Sequence, residues 1–439
     1  MLPKCKELST RVASKDKVID MQGSAQLTDP TLFKKLIILA GALILAVSAL
    51  LLSSKNLWSL HYQANSNEAV EITDFQFHHG YSVFLRHNPH TAAYQESSHY
   101  AFMKQLMKGE PEGSLSFGYS PTLAFLYGWT GLDNSRLAWI VWILASLTLF
   151  LGAVKKYLPD LNRVESAFLL VVFASPAVVM TLYQGQTALL TTGIFLWLAT
   201  NSEKNPVCKV TSVINILLLV LLTIKPPLAL CAGCIMLTHK NFREVFTAAL
   251  IALIIGIFWT LRESNLQWVT DYLSLVNSWN KTDASPFFGS WIWPETMSNL
   301  RGVLYQIKCS DRTAFLISKT CFGLALIIFT CAAYKLRSHL SSKARWTLGL
   351  LIYLLFCPHL SATEDLAMIA VFLWLSTDTS LTLSSCERLF IMILCSSATF
   401  LLIMIPWLPQ APLAVFMIKA AFLLGLLKRL YSSIHIPLR

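Results

Sequence analysis

The chain has 439 residues, of which 55% are hydrophobic and only 13% are charged, and its mean hydropathy is +0.55. Because a soluble domain carries about 25% charged residues, this composition excludes a soluble enzyme and predicts a polytopic membrane protein. The formal charge of +11 does not indicate nucleic-acid binding, since the basic residues form short clusters between apolar runs, a pattern typical of cytoplasmic loops. We therefore expect membrane lipids, and no nucleic acid, as partners.

The apolar runs are continuous rather than alternating, which predicts spanning helices and an all-α fold. About twelve spans place every basic cluster on one side of the membrane. Several of them are short, which indicates tilting or a cavity at one face. The predicted spans are residues 36–52, 137–154, 167–182, 187–200, 213–224, 227–237, 245–261, 314–334, 346–356, 366–375, 389–405 and 413–427.

The two ends and two long loops complete the predicted organisation. Residues 1–35 are polar and predict a disordered cytoplasmic tail, and residues 431–439 predict a second one, around an integral membrane domain of residues 36–430. The first run lacks a small-residue cleavage site, so we expect an uncleaved anchor. Residues 53–118 and 262–312 then form long loops on the outer face. Nearly all acidic, amide and histidine side chains near the bilayer lie on that face, where we expect any active site.

One apolar segment, residues 119–131 (YSPTLAFLYGWTG), does not fit this pattern. It is shorter than the roughly 20 residues that a helix needs to cross a bilayer. Counting it as a full span would reverse every later loop and place the basic clusters outside. We interpret it as a partial or re-entrant helix, with a thirteen-span arrangement as the alternative.

The chain offers few signs of metal or nucleotide chemistry. Most of its ten cysteines lie inside apolar runs, and Cys231 and Cys234 have no further ligands at metal-binding spacing, so we predict membrane packing and no metal site. Walker, GxGxxG, HExxH, GxSxG and DxD motifs are absent from the sequence. Nucleotide-sugar and hydrolase chemistry therefore lack their usual residues.

Asp74 is the first candidate for chemistry. It follows the first predicted span by about twenty residues, in the aromatic and histidine-rich segment EITDFQFHHGYSVFLRHNPH. A carboxylate that is partly desolvated at the membrane boundary gains basicity and can accept a proton from a hydroxyl. The alternative is a solvated acid at a helix start, because Thr73 is a good N-cap residue.

Two further polar groups lie on the predicted outer face. Arg86, His87, Asn88 and His90 form a compact set that suits a phosphate, sugar hydroxyls or lipid headgroups. The turn of residues 184–186 supplies two amides, Gln184 and Gln186, between apolar helices, and paired amides at such depth indicate a bound polar group.

Lys225 breaks the charge bias, because it is a lone lysine on the outer face between two apolar runs. Its ammonium either reaches the membrane interface or meets an anion in a cavity. Farther along, His359, Glu364 and Asp365 interrupt two short apolar segments in CPHLSATEDLAMIA. They suit a sugar, a metal or an acceptor, or simply a capped turn.

In their order, these elements resemble glycosyltransferase family 87, whose members use polyprenol-phosphate sugars and belong to the GT-C superfamily. The family's acidic residue after the first span looks like Asp74, and its Gly-x-Asn-Pro-Tyr element looks like residues 86–90. Its Tyr-x-Pro, Gly-Gln and Lys-Pro elements look like residues 119–121, 185–186 and 225–226, and its late Pro-Tyr to Tyr-Asp element looks like residues 358–365. Arg86, His90, His359 and Glu364 depart from the family pattern, so sugar specificity does not carry over.

The resemblance implies a GT-C-like bundle of about twelve or thirteen helices that moves a sugar, mannose-like or another hexose or pentose, from a polyprenyl-phosphate donor. The acceptor would be a hydroxyl of a lipid or glycan on the outer face of a bacterial inner membrane, and the anomeric carbon would invert. Asp74 would be the general base, and Lys225 with Arg86 or Arg301 would hold the leaving phosphate. The lipid-linked donor is a co-substrate, and no other cofactor is expected. Aromatic rings of Tyr81, Trp291 and Trp293 would stack on sugars. The expected substrate-binding residues are His87, Asn88, His90, Tyr119, Gln184, Gln186, His359, Glu364 and Asp365.

Two other functions remain open on the sequence alone. A twelve-span transporter or lipid flippase fits the span number and orientation equally well, but it predicts repeated halves and matching broken helices, which the sequence does not clearly show. A ligase or polymerase of lipid-linked oligosaccharides would keep the same site and use a diphosphate lipid instead.

Overall fold

The computed structural model of the chain describes residues 33–37, 39–41, 43–44, 47, 73–107, 118–129, 133–203, 209–278, 296–360, 362–381, 383–405 and 407–435. All regular elements within these residues are helical, which confirms the predicted all-α class for them. Trp291, Trp293, residues 1–32 of the first predicted tail, residues 436–439 of the second and much of the first predicted span lie outside the described residues.

The described residues between 33 and 47 are helical, and eighteen further α-helices follow within the described residues. They are α1 (Asp74–His87), α2 (Glu96–Met107), α3 (Pro121–Trp129), α4 (Ser135–Tyr157), α5 (Arg163–Phe173), α6 (Pro176–Gln184), α7 (Ala188–Glu203), α8 (Lys209–Leu222), α9 (Pro226–Thr238), α10 (Phe242–Glu263), α11 (Gln267–Ser278), α12 (Leu300–Gln306), α13 (Asp311–Lys335), α14 (Ser342–Phe356), α15 (Met368–Thr377), α16 (Ser385–Thr399), α17 (Leu401–Met404) and α18 (Ala411–His435). A 3₁₀ turn, Ala362–Ala367, precedes α15.

Four described helices are long and apolar enough to cross a membrane by themselves, namely α4, α10, α13 and α18. Helices α5 and α6 together are also long and apolar enough, so they give a fifth crossing if they form one span with a bend of 43°. The bend falls where Ser175 and Pro176 interrupt the helix, and Pro at the first helical position cannot continue the hydrogen bonding of the preceding turn.

The predicted number of about twelve full spans is not confirmed. Helices lie where most of those spans were predicted, but several are short: α15 has 10 residues and α14 has 15, lengths of about 15 and 23 Å against a hydrocarbon core of roughly 30 Å. All ten residues of α15 are buried. A helix that is apolar all round and buried by its neighbours belongs to a protein core, which is a role that hydropathy alone does not separate from a span.

Helix α3 covers Pro121–Trp129, within the segment 119–131 that is too short for a full span. Its nine residues give a length of about 14 Å, less than half of the hydrocarbon thickness. This length agrees with a partial helix and does not allow α3 to cross a bilayer alone.

The helices pack around α7, α14 and α15, whose residues are mostly buried. Around this centre, α4, α8, α10, α13 and α18 expose large apolar side chains such as Leu144, Leu217, Leu253, Ile328 and Leu424. In a chain of this hydropathy, such an apolar outer surface is suited to contact with lipid tails.

The bundle has two chemically different ends. At one end the basic turns meet: the Arg345 guanidinium donates to the Thr238 carbonyl at 2.7 Å, and the Arg388 guanidinium donates to the Glu165 carboxylate at 2.6 Å. At the other end lie the start of α1, the α6–α7 turn, the α8–α9 turn and the 3₁₀ turn before α15. This separation agrees with the division into basic and polar loops, and it places Asp74, Gln186 and Lys225 at the same end of the bundle.

Candidate active site

Asp74 is the first residue of α1, and the local sequence explains why the helix begins there. The Thr73 hydroxyl accepts from the Gln76 backbone N–H at 3.3 Å, and the Gln76 side chain accepts from the Thr73 backbone N–H at 3.2 Å. This reciprocal capping box fixes the start of the helix. The helix is anchored by buried aromatic residues such as Phe75 and Phe77, so the Asp74 carboxylate is held at a defined place beside the helix N-terminus.

Both glutamines of the turn between α6 and α7 contact Asp74. The Gln186 amide nitrogen Nε2 donates to Asp74 Oδ2 at 2.9 Å, and the Gln184 oxygen Oε1 accepts from the Asp74 backbone N–H at 3.4 Å. No further side-chain hydrogen bond of Asp74 occurs among the described residues, which leaves its Oδ1 without such a partner there. One carboxylate oxygen is therefore held while the other can accept a proton.

Gly185 allows the turn to approach α1 this closely. Its φ is +65°, in the left-handed region, and an added Cβ would lie only 2.5 Å from Phe75 Cβ. The indole of Trp142 also donates to the Gly185 carbonyl at 3.0 Å. Since only glycine fits both the conformation and the space, the turn requires Gly185. The turn in this conformation fixes the positions of Gln184 and Gln186.

Lys225 forms the second part of the cluster. Its ammonium donates to Glu364 Oε1, and the Tyr353 hydroxyl donates to Glu364 Oε2 at 2.6 Å. The Glu364 side chain is only 8% exposed and the Lys225 side chain 15%, so the pair is largely removed from water. Glu364 was expected to bind substrate, whereas its two carboxylate oxygens are occupied by these two contacts.

The loop before α3 is tied to the same lysine turn. The Ser120 hydroxyl donates to the Thr223 carbonyl at 2.6 Å, and the hydroxyls of Thr122 and Thr223 are 2.7 Å apart. These contacts bring Tyr119 close enough for the charges of Lys225, Asp74 and Glu364 to act on its hydroxyl. Tyr119 thus belongs to the cluster, although its sequence distance from Lys225 is large.

The charges in the cluster influence one another. Burial raises the pKa of Asp74 above its ordinary value of 3.8, although the Gln186 hydrogen bond and the Lys225 charge oppose this rise. Burial works against a charged Lys225, but the Glu364 carboxylate and Tyr119 outweigh it and raise the pKa of the lysine. Asp74 therefore has increased basicity, and Lys225 remains an ammonium near it.

Asp365 lies beside this cluster but has a different environment. It is fully buried and paired with Lys419 on α18, and it also accepts from the Ser298 hydroxyl. Lys419 in turn donates to the Ser298 hydroxyl at 2.6 Å. Asp365 is predicted to bind substrate; in the structure its ion pair with Lys419 joins the 3₁₀ turn to α18.

Arg301 is likewise engaged within the protein. Its guanidinium donates to Asp311 through Nε at 2.8 Å and Nη2 at 2.7 Å, and through Nη1 to the Pro358 carbonyl at 3.2 Å. This bidentate pair has 0% and 2% exposed side chains. His359 lies close by with its ring against Phe315, and burial together with the Arg301 charge lowers the pKa of His359 to about 3, so its imidazole is neutral at pH 7. The expected phosphate contact of Arg301 has no support in this geometry, since a buried charge separates from its partner only at high cost.

The group of residues 86–90 is not brought to Asp74. Arg86 lies twelve residues farther along the same helix, about 18 Å along its axis. Arg86 and His87 both contact the Asp133 carboxylate near the surface, and the Asn88 amide donates to the Phe84 carbonyl at 2.8 Å. His90 is exposed. Arg86 is predicted to help Lys225 hold a phosphate; in the structure it pairs with Asp133 at the opposite end of α1 from Asp74.

The sequence interpretation did not identify three residues of this region. Lys419 had a recognisable signal, since a lone lysine inside the apolar run LAVFMIKAAFLLG is costly and marks a buried partner. Tyr353 lies in a similar apolar run but carries no such signal. Thr363, whose hydroxyl donates to Gln186 Oε1, has no local sequence signal either. Among the described residues, no group of three His, Cys, Asp or Glu side chains is arranged to hold a metal ion.

A comparison with protein families finds a match to this chain. The family model described as "Glycosyltransferase family 87" matches residues 117–358, just over half of the chain. That range includes Tyr119, Gln184, Gln186 and Lys225, whereas Asp74 and Glu364 lie outside it, so their assignment depends on geometry. No curated protein and no solved structure matches the chain.

Proposed function

The chain belongs to glycosyltransferase family 87, and we propose that it moves a hexose or pentose from a polyprenyl-phosphate sugar to a hydroxyl of a lipid or glycan. The transfer inverts the anomeric carbon and takes place on the outer face of a bacterial inner membrane. The observation that carries this proposal is Asp74, with one oxygen held by Gln186, the other without a side-chain partner among the described residues, and the Lys225 charge nearby.

In the proposed reaction, Asp74 Oδ1 accepts the proton of the acceptor hydroxyl while that oxygen attacks the anomeric carbon. The bond between this carbon and the phosphate oxygen breaks on the opposite side, and the polyprenyl phosphate leaves with its electron pair. A single displacement of this kind inverts the configuration. The raised pKa of Asp74 supports the base role, because a more basic carboxylate drives the proton transfer better.

Lys225 stabilises the negative charge that grows on the leaving phosphate. An ammonium has three N–H donors, and Glu364 occupies one of them. The two others can meet phosphate oxygens, while Glu364 and Tyr353 keep the ammonium in place. A preorganised charge in a poorly hydrated site stabilises a developing anion more than the same charge does in water.

Sidedness is the part of the proposal that depends on the charge distribution. The basic turns meet at one end of the bundle, and the Asp74 cluster lies at the other end. Because basic loops face the cytoplasm, the cluster is assigned to the outer face. A polyprenyl phosphate is a suitable donor there, since it needs no soluble nucleotide.

The test is transfer by purified protein in liposomes with a panel of radiolabelled polyprenyl-phosphate mannose, glucose and arabinose and with membrane lipid extract as acceptor. A label that moves to a new lipid or glycan supports the proposal. The same sugars on nucleotides and on polyprenyl diphosphate are the matched donors. Transfer from these alone would replace the proposed donor, and the absence of transfer from any donor would favour the transporter alternative.

A further inference from the structure

We propose that Thr363 is a positioning residue for the general base, acting on Asp74 through Gln186. The Thr363 hydroxyl donates to Gln186 Oε1, and Gln186 Nε2 donates to Asp74 Oδ2 at 2.9 Å. The three side chains come from positions that are 177 and 112 residues apart in sequence, and together they form one continuous hydrogen-bonded chain. The inference rests on the proposed role of Asp74.

The chemistry of the groups fixes the direction of this chain. An ionised carboxylate only accepts hydrogen bonds, so the amide nitrogen of Gln186 must face Asp74. The amide oxygen then points the other way and requires a donor, which the Thr363 hydroxyl supplies. A reversed amide would place its oxygen against the carboxylate, and two acceptors would face each other without a proton. Thr363 therefore stabilises the orientation in which Gln186 serves Asp74.

Both ends of the chain are held by other contacts. Thr363 is 6% exposed and precedes Glu364 and Asp365, whose pairs with Lys225 and Lys419 fix the 3₁₀ turn on two sides. Gln186 follows the glycine turn that packs on α1. Other contacts hold the backbone on both sides. Removal of the Thr363 hydroxyl should therefore release the Gln186 side-chain amide without moving the 3₁₀ turn or the glycine turn.

The consequence for the base concerns orientation and protonation together. With Oδ2 held, the carboxylate presents Oδ1 to the acceptor. Without the Gln186 hydrogen bond the Asp74 carboxylate can rotate. Its ionised form also loses a stabilising contact, so the pKa of Asp74 rises. The titratable groups near Asp74 among the described residues include Lys225 with its partner Glu364, Tyr119 and, one turn along the same helix, His78. Changes at Thr363 remove none of them.

The test measures kcat and donor KM against pH for Thr363→Val, Thr363→Ser and Gln186→Met. Loss of one hydrogen bond to a charged group corresponds to roughly a 10- to 100-fold effect, so we expect Thr363→Val to lower kcat by that factor. Its acid limb should move to higher pH, while donor KM stays unchanged. Serine should restore both values, because it keeps the hydroxyl. The matched control is Thr377→Val, which removes a buried hydroxyl that donates to the Leu373 carbonyl of its own helix at 2.7 Å.

A double variant decides whether the residues act in one chain. If Thr363 works through Gln186, Thr363→Val combined with Gln186→Met should cost no more than the larger single effect. Additive losses, or a Thr363→Val enzyme with wild-type kcat and an unshifted acid limb, would overturn the inference. If the valine variant does not fold by size-exclusion chromatography, Thr363→Cys takes its place. Failure of the proposed function looks different, because the wild-type protein would then transfer no label, and failure of the Asp74 role would leave Asp74→Asn active.

Discussion

Replacement of Asp74 by asparagine is the most direct test of the reaction. Asparagine has nearly the same shape, and its carbonyl oxygen can still accept from Gln186 Nε2, the bond that holds Oδ2 at 2.9 Å in the wild type. Its amide nitrogen then occupies the place of Oδ1, where a donor replaces the proton acceptor. The variant therefore removes the base and keeps the surrounding contacts.

The substitution should not unfold the protein. Burial raises the pKa of Asp74, which means that the folded state favours the neutral form of this group more than the unfolded state does. A neutral asparagine therefore loses no favourable net charge interaction of the folded state. Normal expression and a normal elution volume are expected, and they allow a lost rate to be assigned to chemistry.

The expected loss follows from the role of the group. Removal of a general base typically lowers the rate by about 10²- to 10⁴-fold, which corresponds to about 2.7–5.4 kcal/mol in the activation free energy. Some rate should remain, because Lys225 and the oriented substrates still act. Donor KM should change little, since Asp74 is not proposed to hold the phosphate.

The assay is the initial rate of label transfer in liposomes at saturating donor, with Asp133→Asn as the matched control. Asp133 is 49% exposed and pairs with Arg86 and His87 at the far end of α1. Its replacement should change the free energy of unfolding by less than about 0.5 kcal/mol, as for ordinary surface changes, and leave the rate near that of the wild type. A near wild-type rate for Asp74→Asn would refute the reasoning, and the base would then lie elsewhere. In the wild type, the rate should rise with pH through an apparent pKa above 3.8, as Asp74 loses its proton, and the asparagine variant should lack this limb.

Two other predictions concern the phosphate and the membrane orientation. Lys225→Met should lower kcat and raise donor KM, whereas Lys155→Met, in an exposed basic cluster at the other end, should do neither. Equal rates for the two variants would mean that Lys225 only pairs with Glu364. Because Lys225→Met leaves the buried Glu364 carboxylate unpaired, the double variant with Glu364→Gln is measured as well. A cysteine introduced at Asn265 should react with an impermeant maleimide from outside intact cells, and one introduced at Ser338 should not. Labelling of the unsubstituted protein gives the background from its native cysteines. Reversed labelling would place the Asp74 cluster on the cytoplasmic side.

The sequence predicts those parts of the site that are anomalous in an apolar chain. A glutamine pair at a helix turn, a lone outer lysine and an acidic residue after the first span are all costly near lipid, and Gln186, Lys225 and Asp74 do meet in one cluster. Thr363 could not be found in this way. A buried threonine hydroxyl can donate to a backbone carbonyl of its own helix, so its burial costs little free energy and gives no signal in the sequence. Its role depends on a contact across 177 residues, which no local pattern encodes.

Other predicted site residues have protein partners that the sequence does not reveal. Arg86 seemed suited to a phosphate because its polarity is visible in the sequence, but the sequence does not show that α1 carries it about 18 Å from Asp74. Asp365 stands out in the sequence because it interrupts an apolar segment, and Arg301 is suggested only by the family resemblance. In the structure Asp365 pairs with buried Lys419, and Arg301 pairs with buried Asp311. A costly charge therefore predicts that a partner exists, while the identity of the partner, protein or substrate, follows only from the three-dimensional structure.

The charge balance of the cluster explains why Glu364 belongs beside Lys225. Before the proposed transfer, Asp74, Glu364 and the donor phosphodiester are negative and Lys225 is positive. During transfer, Asp74 gains a proton and the phosphate gains a second negative charge, so the net charge of the site stays constant while one charge moves from the base to the leaving group. Glu364 partly neutralises Lys225 toward the singly charged donor. The lysine therefore contributes most when the second phosphate charge develops, which is the condition for lowering a barrier rather than only binding a substrate.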